Sequence, residues 1–347
     1  MTEMKIRAVG LSRRDFLKAG LLTGGVAAGA SAAVASSGAG HGRTAHGLAS
    51  PSPLQGSGHG GQDGTVGEVD LSLFDPSQYL YKFDWGKESR GEGGRTVREW
   101  DVIAQNKDIE IAPGVWFPAW TFNGQVPGPT FRCRAGDWLR FHLLNASPHP
   151  HTIHLHGIHP PSMDGLEPRV EPGQRFTYEF EAQPFGLHLY HCHVMPLKRH
   201  IHKGLYGAFI IDPPGGRPPA REMVIVMNAF DTNFDGENEV YAANTVAFHY
   251  TRHPIRVRVG ELIRVYLVNI TEFDPVNSLH LHAGMFRLYR TGTNLEVYEF
   301  TDIVTMGQGE RHVLEFTLDF PGRFMFHAHQ SEFAELGWLG FFEAVEE

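Results

Sequence analysis

The sequence contains little of what marks several large classes of protein. It has only two cysteines, Cys133 and Cys192, in 347 residues, so no disulfide framework holds it together. Its formal net charge of −9 at pH 7 disfavours nucleic acids and anionic membranes as partners. Beyond the N-terminal segment, no apolar run is long enough to cross a membrane. Helical periodicity is also scarce, which leaves β-strands as the main predicted secondary structure.

The N-terminal segment has the features of an export signal and is not part of the fold. Residues 12–18 read SRRDFLK, the pattern of a twin-arginine signal, and the apolar stretch after them ends in Ala33-Val34-Ala35. We expect residues 1–35 to be cleaved; the alternative is that they remain as a membrane anchor. They carry a net charge of +3, so the mature chain has a charge near −12 (−9 minus 3). This predicts a periplasmic or extracellular protein that begins with a flexible Gly-, Ser- and His-rich linker over residues 36–66.

The rest of the chain is predicted to contain two copies of one β-rich domain. Alternating apolar and polar residues between Gly, Pro, Asn and Asp turns predict short strands packed as β-sandwiches. The matching segments are residues 134–141 with 258–265 and residues 186–193 with 322–329. The proline-rich stretch 212–219 separates the repeats, which predicts domains over residues 67–214 and 215–347.

Histidine is placed with a regularity that a structural role does not explain. Residues two apart on a strand point to the same face, so a His-x-His pair aims two imidazoles at one place. Eight imidazoles suit three copper ions, one bound by two histidines and two bound by three each. Neither domain holds eight, so we expect the cluster to lie between a domain of the first type and one of the second. The four pairs are His154 and His156, His191 and His193, His280 and His282, and His327 and His329.

Cys192, between two of these histidines, indicates a separate mononuclear copper site. Blue copper is bound by two histidines and one cysteine in a trigonal plane, with a weak axial ligand. His151 and His200 are the candidate histidines. Leu205 stands where an axial methionine is expected, and an alkyl side chain cannot coordinate, so we predict three-coordinate copper; Met195 is the alternative axial ligand. The peptide links from Cys192 to its neighbours then form an electron path between metal centres.

The second repeat lacks the ligands of the mononuclear site. Asn277 stands where the first repeat has His151, and Ala328 stands where it has Cys192. A purely structural repeat would have no reason to lose these positions while it keeps the His-x-His pairs. We therefore expect one blue copper site per chain, in the first domain.

Three further features are interpreted as structural. His202 is one step off the ligand register and is read as a surface residue or a support for a ligand. Residues 231–236 resemble the start of a calcium loop, but position 12 would be Ala242 where such loops need a glutamate, so a polar β-turn is predicted. Cys133, in a strand-like run, is most simply a small buried residue.

Residues 97–345 resemble a two-domain multicopper oxidase, the group that contains the small bacterial laccases. The resemblance implies an all-β fold of two tandem cupredoxin-like Greek-key β-sandwich domains. The run HIHKGL at 200–205 is similar to the cysteine loop of ceruloplasmin. The family commonly places the second histidine five residues after the cysteine; here that residue is Leu197, and His200 follows after eight, as in the longer loop of copper nitrite reductases. The motifs that carry the resemblance are His151-x-x-His154-x-His156-Gly157, His191-Cys192-His193, His280-x-His282 and His327-x-His329.

The resemblance also implies a ligand set and an assembly. It implies four coppers per chain, and a homotrimer in which each cluster lies between the first domain of one chain and the second domain of the next. The type 1 ligands would be His151, Cys192 and His200; the type 2 ligands His154 and His280; and the type 3 ligands His156, His191, His193, His282, His327 and His329.

The implied reaction is the oxidation of phenols or similar organic donors, with O₂ reduced to water. The donor and O₂ are the expected small-molecule partners, and neither nucleic acid nor a membrane is expected after cleavage. Oxygen reduction consumes protons, so Asp164 and Glu332, which follow the first and last His-x-His pairs, are candidate proton relays. Each is alternatively a turn-forming or hydrogen-bonding residue.

Two other reactions stay open at this point. The ceruloplasmin-like loop favours a metallo-oxidase for Cu(I), Fe(II) or Mn(II), although the nine methionines form no Met-rich insert that would suit Cu(I). Nitrite reductase shares the fold but needs only a three-histidine type 2 site, so eight cluster histidines argue against it.

Overall fold

A computed structural model describes residues 68–346, so the predicted signal peptide and linker lie outside the described residues. Within this part of the chain, no helix is both long enough and apolar enough to cross a membrane. The helices are short: α1 (Pro76–Tyr79), α2 (Leu197–His202), α3 (His249–Arg252) and α4 (Ser331–Glu335), with 3-10 turns at Glu92–Gly94 and Pro161–Met163.

The remaining elements are strands, which form two sandwiches. The strands of the first are β1 (Phe83–Asp84), β2 (Lys87–Arg90), β3 (Thr96–Ala112), β4 (Val115–Phe122), β5 (Thr130–Arg134), β6 (Trp138–Asn145), β7 (His154–Leu155), β8 (Arg175–Glu181), β9 (Gly186–His191) and β10 (Tyr206–Asp212). Those of the second are β11 (Arg221–Phe230), β12 (Val240–Ala243), β13 (Ile255–Arg258), β14 (Ile263–Asn269), β15 (Val276–Leu281), β16 (Phe286–Arg290), β17 (Glu299–Thr301), β18 (Ile303–Gly307), β19 (Arg311–Phe316), β20 (Gly322–His327) and β21 (Leu339–Val345). Residues 213–220, between the two sets, contain no strand or helix.

The two sandwiches share one core arrangement of strands and differ at the sheet edges, and the predicted fold class is confirmed. In the first, one sheet has the order β1-β5-β10-β9-β7, and in the second the corresponding sheet has the order β13-β21-β20-β15-β18. The pairs β5–β10 and β13–β21 are parallel, and the pairs β9–β10 and β20–β21 are antiparallel. The opposite sheets match in the same way, because β3–β6 and β11–β14 are both parallel.

Local sequence explains why these segments are strands and which faces they bury. In β6, residues alternate between buried and partly exposed, because Leu139, Phe141 and Leu143 enter the core of the first sandwich. In β14, every residue from Ile263 to Asn269 is buried. This strand is covered on both faces, so its apolar residues do not alternate.

The two domains share a buried interface. One continuous apolar core contains Leu187 and Ile210 of the first domain together with Met223 and Val265 of the second. Charged groups at its edge are paired: Arg132 on β5 forms salt bridges with Asp212 and Glu222, and Arg264 on β14 also pairs with Glu222. The interface holds the His-x-His strands of the two domains in a fixed relation within the chain.

Candidate metal centre

The mononuclear candidates His151, Cys192 and His200 meet in the interior of the first domain. The Cys192 Sγ atom lies 3.7 Å from His151 Nδ1 and 3.2 Å from His200 Nδ1, and the two nitrogens are 3.3 Å apart. All three side chains are buried. His200 reaches the site from α2, which follows Cys192 after a longer loop than the family pattern suggests.

These three atoms lie within about 0.3 Å of the spacing of a trigonal metal site. Ligand atoms bound at about 2.0–2.3 Å to one ion in a trigonal plane lie roughly 3.5–3.8 Å apart. Burial raises the pKa of the Cys192 thiol to about 11, so the thiolate needs a nearby cation to form at neutral pH. Burial also lowers the pKa of His151 to about 3 and that of His200 to about 4, which keeps both rings in the neutral form that binds metals. The donor set therefore fits one copper ion.

The two axial candidates lie in different surroundings. Leu205 is fully buried, belongs to the same apolar cluster as Cys192, and its carbonyl accepts the Cys192 N–H at 2.9 Å. Met195 is 68% exposed. The buried surroundings of the mononuclear site therefore contain Leu205, whereas Met195 lies at the surface.

The four cluster histidines of the first domain form one group at the end of β7 and β9. The His154 ring centroid lies 4.9 Å from that of His156, 5.1 Å from that of His191 and 5.3 Å from that of His193. His191 Nδ1 donates to the carbonyl of Cys192 at 3.0 Å, so its Nε2 faces His156 Nε2 at 3.3 Å. Burial lowers the pKa of His156 to about 2 and that of His191 to about 4.

The second domain repeats this arrangement. The His280 ring centroid lies 4.7 Å from that of His282 and 5.5 Å from those of His327 and His329. His327 Nδ1 donates to the carbonyl of Ala328 at 2.6 Å, and its Nε2 faces His282 Nε2 at 2.9 Å. The two groups of four are called the first and second half-clusters below.

The half-clusters are supported by equivalent hydroxyl groups. The Thr152 hydroxyl accepts the backbone N–H of His193 at 3.2 Å, and the Ser278 hydroxyl accepts that of His329 at 2.8 Å. Each hydroxyl lies two residues before the first histidine of its half-cluster, His154 or His280. The sequence motifs did not identify Thr152 and Ser278, although this common spacing could have done so.

Asp164, one of the predicted relays, lies against the first half-cluster. Its backbone carbonyl accepts the His154 Nδ1–H at 2.7 Å, and its carboxylate oxygen lies 3.3 Å from the same nitrogen. Asp302 plays the equivalent part for His280, with a carbonyl contact of 3.0 Å and a carboxylate oxygen at 3.8 Å. Both histidines thus present Nε2 to a metal. Sequence reading missed Asp302 because it follows its histidine by 22 residues, against ten for Asp164.

Glu332, the other predicted relay, has different surroundings. It is exposed, on the first turn of α4, three residues after His329. The structure therefore brings Asp164 into contact with a candidate ligand and leaves the role of Glu332 a prediction.

The positions that the second repeat has lost are used for packing. Asn277 is buried and donates to the Thr271 hydroxyl at 2.9 Å. Ala328 is also buried, in the apolar core. Neither side chain offers a strong ligand for copper, so the part of the chain that the structure describes has its one cysteine-and-histidine group in the first domain.

The features interpreted as structural are buried or hydrogen-bonded. His202 is buried and accepts the Asp231 N–H at Nε2 (3.1 Å). The surface alternative is therefore wrong, and a supporting role for a ligand stays a prediction. Asp231, Asp235 and Glu239 lie close together, but the Asp231 carboxylate accepts three backbone N–H groups of its own turn. That is the behaviour of a polar turn. Cys133 is a free, buried residue, as predicted.

Comparisons with known proteins place both halves in one family. Two family models, both described as multicopper oxidase, match residues 104–216 and 217–346. The fold is similar to the crystal structure of a multicopper oxidase, with a TM-score of 0.79 and 51% identity, over 80% of this chain and 100% of that one.

Curated relatives are more distant and differ in activity. The chain is 28% identical over 245 residues to a copper-containing nitrite reductase of Neisseria gonorrhoeae, a match that covers 64% of this chain and 62% of that protein. It is 31% identical over 193 residues to laccase-25 of Oryza sativa subsp. japonica, covering 51% of this chain and 32% of that protein. The chain thus spans less than two thirds of the length of these relatives.

Proposed function

This chain belongs to the multicopper oxidase family as a two-domain member, and on that premise we propose that it is a laccase-like oxidase. It would couple the one-electron oxidation of phenolic or similar donors to the four-electron reduction of O₂. Four phenols each lose one electron and one proton to become phenoxyl radicals, and one O₂ takes up the four electrons and four protons to give two waters.

The observation that carries this proposal is the position of Cys192 between two half-cluster histidines. Its Sγ lies in the mononuclear group with His151 and His200, while its neighbours His191 and His193 belong to the first half-cluster. Two covalent links thus connect a group suited to accept single electrons with a group suited to collect several. An electron carrier or copper store has no use for the second group.

Copper bound at these positions would supply the redox chemistry, four ions per chain. His151, Cys192 and His200 would hold the type 1 ion, and Leu205 would leave it three-coordinate. His154 and His280 would hold the type 2 ion, each fixed through Nδ1 by a backbone carbonyl. The remaining ligands, for the type 3 pair, would be His156, His191, His193, His282, His327 and His329. Asp164 would pass protons toward the cluster from its place beside His154.

We further propose that clusters form between chains of a homotrimer. Within residues 68–346, ring contacts join histidines inside each half-cluster and none joins the two half-clusters. His282 and His329 are exposed in the single chain. A head-to-tail contact that repeats around a ring would cover the second half-cluster of one chain with the first half-cluster of the next. Export through the signal at residues 1–35 stays part of the proposal.

Nitrite reduction and metal-ion oxidation are the competing functions. Similarity to nitrite reductases supports the first, but a site for nitrite reduction needs fewer histidines than the eight that this chain places in two half-clusters. The ceruloplasmin-like loop supports the second.

The proposal is tested by copper analysis together with oxygen uptake. We expect four coppers per chain, and oxygen uptake with a phenol at one O₂ per four phenols. Equal or faster uptake with Fe(II), Mn(II) or Cu(I) would favour the metallo-oxidase. Two coppers per chain, with nitrite turnover, would overturn the proposal.

A further inference from the structure

A cavity of 460 Å³ lies between the domains, beside the helix that carries His200. It belongs to neither half-cluster. Its first-domain wall is α2 and the residue after it, with Lys198, Arg199, His202 and Lys203, and its second-domain wall includes Phe234 and Phe273. This volume is in the range of pockets that bind small organic molecules.

The cationic residues of this pocket feel carboxylates only at longer range, with Asp108 acting on Lys203 and Glu272 on Lys198. Among residues 68–346, no salt bridge is formed by Lys198, Arg199 or Lys203. Lys203 is buried, and its ammonium lies 4.7 Å from the ring centre of Phe117 and 4.9 Å from that of Phe234. Aromatic faces compensate only part of the cost of desolvating an ammonium group. An anion in the pocket would complete that compensation.

The opposite side of the pocket is aromatic. The His202 ring centre lies 5.0 Å from that of Phe273 and 5.9 Å from that of Phe234, and both contacts are edge-on. The His202 Nε2 atom accepts the Asp231 N–H at 3.1 Å, so this nitrogen carries no proton. These rings offer contacts to the face or edge of an aromatic ligand.

The two acidic residues that line the pocket are engaged in their own turn. The Asp231 carboxylate accepts N–H groups from Phe234, Asp235 and Gly236, and Asp235 accepts the Glu237 N–H. Backbone N–H groups therefore stabilise their charge, whereas Lys198, Arg199 and Lys203 lie over aromatic rings and form no salt bridge. The lining has three cationic side chains and two carboxylates, so its net charge is positive and disfavours Fe(II), Mn(II) or Cu(I).

The pocket is one helical turn from the mononuclear site. Four of its lining residues flank His200 within three positions, which corresponds to about 5 Å along a helix axis. The Arg199 guanidinium lies 5.2 Å from the Trp120 ring, and that ring lies 4.9 Å from His200 and 5.5 Å from His151. A donor in the pocket is thus separated from the mononuclear ligands by a single layer of side chains.

We propose that this pocket binds the reducing substrate, and that the substrate is a phenol that carries a carboxylate. The carboxylate lies against Lys198 and Lys203, and the ring packs against Phe234 and Phe273. The inference rests on the proposed function and narrows it to anionic aromatic donors. The donor loses one electron and the phenolic proton, as in the stoichiometry above.

The test compares 4-hydroxycinnamate with its methyl ester, which has the same phenol and no charge. For the copper-loaded enzyme we expect kcat/KM to be about tenfold higher for the acid, the size of one charge-assisted contact. Lys198 is exposed, so Lys198→Gln should fold normally, and the acid-to-ester ratio should fall to about one. Lys82→Gln, an exposed lysine outside the pocket, is the matched control and should keep the wild-type ratio.

Calorimetric binding of cinnamate provides a readout without turnover, because cinnamate has no phenolic proton to lose. Wild-type enzyme should bind it, and Lys198→Gln should bind it about tenfold more weakly. Equal acid and ester rates in the wild type, or equal cinnamate binding by wild type and Lys198→Gln, would overturn the inference. If cinnamate binds as expected but neither phenol supports oxygen uptake, the proposed oxidase function is overturned. The binding site for an aromatic carboxylate would still be supported.

Discussion

Trp338 occupies the position in the second domain that Leu205 occupies in the first. The carbonyl of Leu205 accepts the N–H of Cys192 at 2.9 Å, and the carbonyl of Trp338 accepts the N–H of Ala328 at 3.2 Å. Both side chains are fully buried. Leucine is smaller than tryptophan and would leave more room for a metal beside the cysteine, whereas the indole packs on Phe326 and donates to the Ser278 carbonyl at 3.1 Å.

The indole therefore carries packing that the first domain does not need. Trp338→Ala should lower the free energy of unfolding by about 3–5 kcal/mol, because it leaves a cavity in a closed core. Trp338→Phe should cost much less, since it keeps most of the volume and loses one hydrogen bond. Denaturant unfolding at one chain concentration measures both. Similar small losses for the two variants would show that the site collapses around alanine.

Cys192 and Cys133 provide a matched pair for the mononuclear site. Both are buried, and only Cys192 lies beside two histidine nitrogens. We expect Cys192→Ala to abolish the blue absorption of the copper–thiolate bond and to remove one copper per chain, while Cys133→Ala keeps both. Absorption spectra and copper analysis decide this. Blue colour in Cys192→Ala would refute the ligand assignment.

A comparison of Asp164 with Asp302 tests whether Asp164 relays protons or only supports its histidine. Because each holds its histidine through a backbone carbonyl, substitution of the side chain should leave copper occupancy unchanged. Asp164→Asn should lower kcat about 100-fold and change the pH profile, the effect of losing a general acid–base group. Asp302→Asn should have a smaller effect, since its carboxylate is half-exposed and lies 3.8 Å from its histidine. Equal losses in the two variants, with an unchanged pH profile, would indicate a structural role.

Interchain clusters predict complementation between two inactive variants. His156→Ala damages the first half-cluster and His282→Ala the second, so trimers of either variant alone should not reduce O₂. In randomly mixed trimers, about one quarter of the head-to-tail interfaces pair two intact half-clusters, so about one quarter of wild-type activity should return on co-expression. No recovery in verified mixed trimers would place the whole cluster within one chain.

His249 should make stability depend on pH, away from the metal sites. Burial lowers the pKa of this imidazole to about 3, and its Nε2 lies 2.7 Å from the Ser77 hydroxyl. The unfolded chain binds a proton near pH 6.5 and the folded chain does not, so stability is lost as pH falls below about 6.5. At pH 5 this loss should be about 2 kcal/mol relative to pH 7. His249→Gln should show a smaller difference between unfolding at the two pH values, and an unchanged difference would contradict the buried neutral state.

Much of the fold and site was predictable because it is encoded locally. The period of two in a strand predicted that each His-x-His pair acts together, and the internal repeat aligned β9 with β20. Each pair does lie in one half-cluster, although every strand ends before the second histidine of its pair. The second repeat has Asn277 in place of His151 and Ala328 in place of Cys192, and this difference is likewise evident when the two repeats are aligned. Sequence could not predict that His202 is buried, because the residues that cover it, Phe234 and Phe273, belong to the other domain.

The sequence by itself determined the candidate donor atoms: which imidazoles and which thiol the chain offers, their pairing, and the presence of a cysteine among them in one repeat only. Only the tertiary structure decided what surrounds those atoms. Asp302 reaches His280 across 22 residues, the Trp338 indole reaches Ser278 across 60, and the cationic pocket forms where α2 meets the turn after β11. The physical reason is that the spacing of the candidate ligands follows from strand geometry within a few residues. The residues that support these ligands, the cavities and the burial of charged groups all depend on segments that meet only when both sandwiches have packed.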